Sequence, residues 1–355
     1  MAAYPRPLWR LTLASADLNT RLAPRLMQLS LTDNRGMEAD QLDITLSDAD
    51  GLLDLPKRGV EVHLWLGWSD TGLVDKGTYT VDEVEHSGAP DQLTIRARSA
   101  DLREGLSNKK ERSWHQTTVG AIVQTIAEEN GLEAAVSPEL AGEVIEHLDQ
   151  TDESDASFLT RLAERYDAIA NIKSGKLLFF KIGRGKTLSG ETLETVKITR
   201  QSGDRHRFTV ADRDGANAVK ATWYDRQSGK KGEVIVRVEP EKGQEKVSES
   251  ATENIKTLRH CYASQGNAQC GAKAALAKLE RAVSTFALSL ARGRPDIFPD
   301  LPAHVSGWKP AIDGTDWWIA KVSHKLSDAG LTTDIDLELK IDDDGNDDDG
   351  NDGEP

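Results

Sequence analysis

A repeat constrains this chain more than any other feature. Gly67-Trp68 is followed by Tyr79-x-Val81-x-x-Val84-x-His86, and Gly307-Trp308 by Trp317-x-Ile319-x-x-Val322-x-His324. An aromatic residue, a β-branched residue, a valine and a histidine recur at the same spacing. Each block then turns through a glycine, Gly88 or Gly330, into a long alternating strand. Upstream, Asp43-Ile44-Thr45-Leu46-Ser47 stands where Phe286-Ala287-Leu288-Ser289-Leu290 stands in the second block. A chain that folds one β unit twice presents two similar surfaces. Three such chains around one axis would present six, and closed cyclic symmetry makes a ring the natural state of such an assembly. The expectation is a homotrimer able to join a six-fold structure to a three-fold one.

Hydropathy patterning divides the rest of the chain, which at 355 residues exceeds what one core supports. Residues 1–106 read as all-β. Val62, Leu64 and Leu66 alternate with His63 and Trp65, and Leu93, Ile95 and Ala97 with Thr94 and Arg96, the period of a half-buried strand. Asn34-Arg35-Gly36, Asp50-Gly51, Asp70-Thr71-Gly72 and Gly88-Ala89-Pro90-Asp91 punctuate these strands as turns. Residues 107–200 change character. Val119, Ile122, Val123, Ile126 and Ala127 recur at helical spacing up to Asn130-Gly131, a second helix covers Asp155 to Tyr166, and a hairpin follows through Ser174-Gly175. Residues 201–341 return to strands, with a polar loop over 241–253 and an Ala-rich helix over about 267–282. The fold class expected is mainly β with an α+β insertion: two similar antiparallel, tube-like β-barrels plus a small α/β domain. Residues 342–355, DDDGNDDDGNDGEP, hold seven Asp and one Glu, about half the formal charge of −15, and read as a self-repelling disordered tail. An EF-hand does not fit there, because a loop begun at Asp342 puts Asp347 at position six and Gly353 at position twelve.

The residues point to no chemistry. Carboxylate pairs such as Asp82/Glu83 and Asp152/Glu153 fall in polar strand or loop contexts, where solvated surface is the ordinary reading. The eight histidines are scattered, with no His-Glu-x-x-His pattern, and His86 and His324 hold equivalent repeat positions, which favours a shared structural role. Gly183-Arg184-Gly185-Lys186-Thr187 imitates the end of a phosphate loop, but Phe180 stands where its first glycine belongs. Cys261 and Cys270 fit no zinc spacing and read as reduced thiols. No catalytic, cofactor or metal residue is assigned. No apolar run is long enough to span a bilayer, and Met1–Ser15 does not read as a signal peptide.

The negative charge argues against tight binding to phosphate backbones. Lys109-Lys110-Glu111-Arg112 and Arg205-His206-Arg207 are small basic clusters outside any DNA-reading helix, so weak contact without sequence preference is the most expected. Protein contacts are better served by tryptophan. Alternation puts Trp65 opposite the Val62/Leu64/Leu66 face, and the neighbours Trp317 and Trp318 cannot both point into one barrel. Trp65, Trp317 and Trp318 are therefore the candidates for protein interfaces, with one of the last two expected to face outward.

Long ordered stretches carry a family resemblance. LMQLSLTDNRGMEADQLDITLSDADG (Leu26–Gly51), YTVDEVEHSGAPDQLTIRARSADLR (Tyr79–Arg103), SWHQTTVGAIVQTIAEENGLEAAVSPELAG (Ser113–Gly142), ESDASFLTRLAERY (Glu153–Tyr166), ITRQSGDRHRF and WWIAKVSHKLSDAGLTTDIDLEL resemble the late control protein D family of temperate contractile-tailed phages. The resemblance runs to about Asp342. The family is similar to the central hub of tail baseplates and to the base of type VI secretion spike proteins. It implies a homotrimer with two tube-like barrels per chain, set between the tail tube or tube-initiator protein and the spike protein. Tape measure and other baseplate proteins are the further partners, DNA or effector passes through the bore, and the place is the virion baseplate or a tail-like bacteriocin. The chain departs from the family between Arg226 and Arg259, where relatives often carry a longer Lys-rich extension. The competing readings are a peptidoglycan-acting tail enzyme, for which no segment is left over, and a DNA-binding late regulator.

Overall fold

The computed structural model describes residues 4–13, 16–99, 104–173, 175–183, 191–211, 217–226, 228–238 and 254–340. The 241–253 loop, the acidic 342–355 tail and residues 184–187 of the Gly183–Thr187 stretch lie outside them.

The repeat is visible in the strand order. In the first copy, Leu26–Asp33, Gln41–Ser47, Gln92–Ser99, Gly72–Ser87, Glu61–Trp68 and Pro7–Leu13 lie side by side in that order. In the second, the sequence Gly203–Val210, Ser284–Leu290, Gly330–Leu339, Trp317–Ser327, Pro302–Ser306 and Val196–Thr199 repeats it. One difference is the last strand, antiparallel to its neighbour in the first copy and parallel in the second. Both copies are mainly antiparallel, and each encloses its own apolar cluster. One is centred on Leu29, Leu42, Leu64 and Tyr79, the other on Phe286, Val305, Trp317 and Ile335.

The broken alternation of the repeat has a physical cause. In Gly72–Ser87 the pairing with Gln92–Ser99 slips between Val81 and Glu83, leaving Asp82 as an extra residue. In Trp317–Ser327 it slips between Ile319 and Lys321, leaving Ala320 at the equivalent place. A bulge inserts one unpaired residue and resets the phase of the strand. The two-residue gap before Val84 or Val322 therefore returns the valine to the face that Tyr79 and Val81, or Trp317 and Ile319, already occupy. Pairing also corrects the upstream alignment. Ile44 lies opposite Ile95 and Leu288 opposite Ile335, so Leu42–Leu46, rather than Asp43–Ser47, matches Phe286–Leu290. A slip of one residue would have turned buried Ile44 to the wrong face.

The paired glycines are kept for different reasons. A Cβ on Gly67 would stand 1.9 Å from the Gly72 carbonyl oxygen, whereas Gly307 has φ +94°, a left-handed conformation.

The two copies are joined edge to edge. The second half of Trp317–Ser327 pairs antiparallel with Leu26–Asp33, which fuses both copies into one thirteen-stranded sheet.

Two smaller units stand beside this sheet. The first holds a three-stranded sheet, Glu133–Val136, Lys176–Lys181 and Ala168–Lys173, packed on helices Val119–Glu129 and Asp155–Arg165. Their N-terminal hydroxyls, Thr118 and Ser154, accept from the Ala121 and Ser157 backbone N–H groups as ordinary caps. A long ribbon, Lys109–Thr118 with Val144–Ser154, flanks it; its polar sequence gave no strand signal. The second unit packs helix Gln265–Val283 on a sheet of Lys231–Arg237, Ala218–Tyr224 and Ile255–Tyr262. Ala218–Tyr224 and Lys231–Arg237 were expected within the second barrel. They form this separate sheet because Val219 and Ala221 bury against Ala268, Ala272 and Leu276 of the helix.

Candidate assembly surface

A buried polar cluster lies at the seam between the two copies. Asp33, at the end of Leu26–Asp33, accepts from Lys76 Nζ at 2.8 Å, with both side chains less than a tenth exposed. Lys76 also reaches the Pro295 carbonyl oxygen of the second copy at 3.3 Å. His324 Nε2 lies 3.8 Å from Asp33, and its Nδ1 is 2.9 Å from Thr333 Oγ1. His324 is fully buried, and burial, reinforced by the Lys76 charge, pulls its pKa down to about 4. Asp40 stands nearby, pushed up to about 6 by burial and by the Asp33 carboxylate. Trp68 closes the seam, donating from Nε1 to the Gly293 carbonyl at 2.7 Å beneath the Arg292 guanidinium.

A second charged cluster ties the smaller units to the sheet. Arg35 pairs with Asp300 at 2.7 Å and with Glu338, and donates to the Ile319 carbonyl at 3.0 Å. Burial raises the pKa of Asp300 despite the guanidinium beside it. Arg281, from helix Gln265–Val283, clasps Asp167 at the end of the α/β unit. Above this network a cleft of about 1150 Å³ opens between helices Asp155–Arg165 and Gln265–Val283.

The tryptophan candidates separate. Trp65 lies on the outer face as expected, half-buried, stacked on His63 at 3.9 Å with Arg10 5.2 Å from its ring. Trp317 is fully buried and Trp318 is 3% exposed, so the expectation that one faces outward fails. Trp317 fills the second core and donates to the Ile312 carbonyl. Trp318 does point the other way, to the face of its cross-strand partner Glu338, where it meets Asp300, itself paired with Arg35. His86 and His324 also diverge. His86 is exposed and meets Asp48 at 3.2 Å, so equivalent positions do not share a role.

The basic and acidic clusters resolve in the same way. Lys110 and Arg112 are spent on Glu129 and on the fully buried Asp155, which also accepts from Gln150. Asp82 pairs with Arg98, Glu83 with Arg96, Asp152 with Lys109 and Glu153 with Arg161. Among the described residues, no group of three or more His, Cys, Asp or Glu is placed to hold a metal ion. No helix among them is long and apolar enough to cross a membrane. Arg205, His206 and Arg207 remain exposed along the strand Gly203–Val210.

Comparison with known proteins places this doubled β unit in a family. Residues 35–330 match the family described as phage tail baseplate hub (GPD). The chain belongs to this family. The "Probable baseplate hub protein" of Escherichia phage P2 is 46% identical, over 95% of this chain and 94% of that protein. Among solved structures, a tail protein from Neisseria meningitidis superposes with a TM-score of 0.67 at 15% identity, covering 94% of this chain and 96% of that one. A type VI secretion component of E. coli shares the fold with a TM-score of 0.54 at 12% identity, over 90% of this chain and 74% of that one. This hub chain is thus mostly β, as its repeat implied, and its place is the tail baseplate of a phage-type virion.

Proposed function

We propose that three copies of this hub chain form a ring that joins the six-fold tail tube to the three-fold spike. The single observation that carries this reading is the recurrence of one strand order, with its bulge at the same place, in two copies fused edge to edge. Doubling the unit within the chain gives a trimer six comparable positions, which a six-fold tube can seat upon, while the chain count stays three for the spike. The role is structural. The ion pairs that occupy Asp82, Glu83, Asp152 and Glu153 support this over a hydrolytic site. Trp65, aromatic and outward, is the surface residue we assign to contact with a neighbouring baseplate component, in keeping with the enrichment of aromatics at protein interfaces. DNA or effector passes through the bore with weak, non-specific contact, as suits a chain of net charge −15.

Co-expression with tail tube and spike proteins of the same phage-type tail tests the adaptor role. The expected product is a complex with three copies of this chain between a hexameric tube ring and a trimeric spike. Binding to neither partner would overturn the reading.

A further inference from the structure

We infer that neighbouring chains join by pairing Gly203–Val210 of one chain, antiparallel, with Val84–Ser87 of the next, in the register of the junction already present inside each chain. The inference rests on the trimeric reading above and deepens it to a residue-level interface between copies.

The internal junction is the template. Leu26–Asp33 runs along Trp317–Ser327 with Asp33 opposite Val322, Thr32 opposite Ser323, Leu31 opposite His324 and Ser30 opposite Lys325. Each strand has a counterpart in the other copy, and bulges fix the correspondence. Leu26–Asp33 slips after Leu26 against Gln41–Ser47, and Gly203–Val210 slips after Gly203 against Ser284–Leu290. Val210 thus stands for Asp33, Thr209 for Thr32, Phe208 for Leu31 and Arg207 for Ser30. The shared bulge in the long strands likewise matches Val84, Glu85, His86 and Ser87 to Val322, Ser323, His324 and Lys325. Transposing the junction puts Val210 opposite Val84, Thr209 opposite Glu85, Phe208 opposite His86 and Arg207 opposite Ser87.

Both edges are open to receive it. Among the described residues, Gly203–Val210 pairs only with Ser284–Leu290, and Val84–Ser87 only with Gln92–Ser99. Open edges invite pairing with another chain. Val210 is 62% exposed, an apolar residue left uncovered where its counterpart Asp33 is buried. The charges are complementary: Arg205 and Arg207 are exposed on one edge, Glu83 and Glu85 on the other. At the internal junction the matching contact is neutral, Thr32 Oγ1 to Ser323 Oγ at 3.1 Å. The sheet's other ends, Pro7–Leu13 and Val196–Thr199, have no counterpart junction from which a register follows, and Ala16–Asp17 folds back on the last residues of Pro7–Leu13.

Cysteine pairing tests the register in the full chain with Cys261→Ser and Cys270→Ser, its only native cysteines. Ser87→Cys with Arg207→Cys, and separately Glu85→Cys with Thr209→Cys, are treated with oxidised glutathione. Two thiols give one disulfide, and the glutathione disulfide is reduced to two thiols. The expected product in each case is a covalent trimer on a non-reducing gel. The diagonal pair Glu85→Cys with Arg207→Cys should cross-link several-fold less, since diagonal neighbours stand about 7–8 Å apart, beyond easy disulfide reach. Arg207→Glu should weaken the trimer, and adding Glu85→Arg should restore it. A trimer by light scattering that cross-links at neither matched pair overturns the register and leaves the trimeric reading standing. A monomer at every concentration up to near-millimolar overturns both.

Discussion

The two copies of the β unit share a strand order and a bulge, yet they have been put to different uses. In the first, the strands Leu26–Asp33 and Gln41–Ser47 are joined by the short turn 34–40; in the second, the matching strands are joined by 211–283, which contains a whole sheet-and-helix unit. In the first, the repeat histidine His86 is exposed beside Asp48; in the second, His324 is sealed under a strand from the first copy, between Asp33 and Thr333. The backbone pattern is what duplication preserves, and the side chains at equivalent positions follow whatever covers them. A covered position becomes a fixed polar seam, and an uncovered one keeps a half-formed version of it.

Substitutions at matched positions test this contrast. The largest effect should come from Asp33→Ala, which strands the buried Lys76 ammonium and costs about 3–5 kcal/mol. At the matching position, Val210→Ala should change the stability of the isolated chain by less than about 0.5 kcal/mol. Urea denaturation of the monomeric chain measures both, and equal losses would mean that the seam is not what makes the positions unlike. Trp317→Ala, which empties part of the second core, should cost about 3–5 kcal/mol by the same measurement. Trp65→Ala on the outer face should cost far less, and its effect should appear instead in partner binding.

His324 holds a folded pKa of about 4 against an ordinary value of 6.5. The unfolded chain therefore takes up this proton first, and stability is lost as pH falls from 6.5 toward 4, by up to about 3 kcal/mol. Asp40 works against it. Its folded pKa of about 6 lies above the ordinary 3.8, so it adds stability as pH falls through the same range. Comparing the wild type with His324→Gln isolates the histidine: the variant's stability should fall less over this window. Parallel curves would show that His324 does not titrate as buried. Tyr79→Phe, which removes the bond from the Tyr79 hydroxyl to the Lys76 carbonyl at 2.6 Å, should cost about 1 kcal/mol, less than Asp33→Ala or Trp317→Ala.

Much of the fold could be read from the sequence because the repeat lies in strands with one buried face, where burial dictates the alternation. Val62, Leu64, Leu66 and Trp65 took the sides their spacing assigned. The ribbon Lys109–Thr118 with Val144–Ser154 could not be read. Its residues are mostly polar, its buried Ile145 and Leu148 are three apart and so break the period of two, and its cations meet Glu129 and Asp155, distant in sequence. Trp318 was misjudged for a related reason. Alternation gives the side of a sheet on which a residue lies, but what lies on that side is an ion-pair network: the cross-strand partner Glu338 is met by Arg35 and Arg281, far from Trp318 along the chain. The seam itself joins Asp33, Lys76 and His324, and the only signal for it was His324 within the repeat. The fusion of the copies into one sheet left no mark beyond that.

Electron microscopy of the purified chain alone bears most directly on the doubled unit as the source of six-from-three symmetry. A ring with three-fold symmetry and six similar lobes on its tube-facing side is predicted. A monomer, or a ring whose lobes do not alternate between the two copies around a common axis, would contradict it.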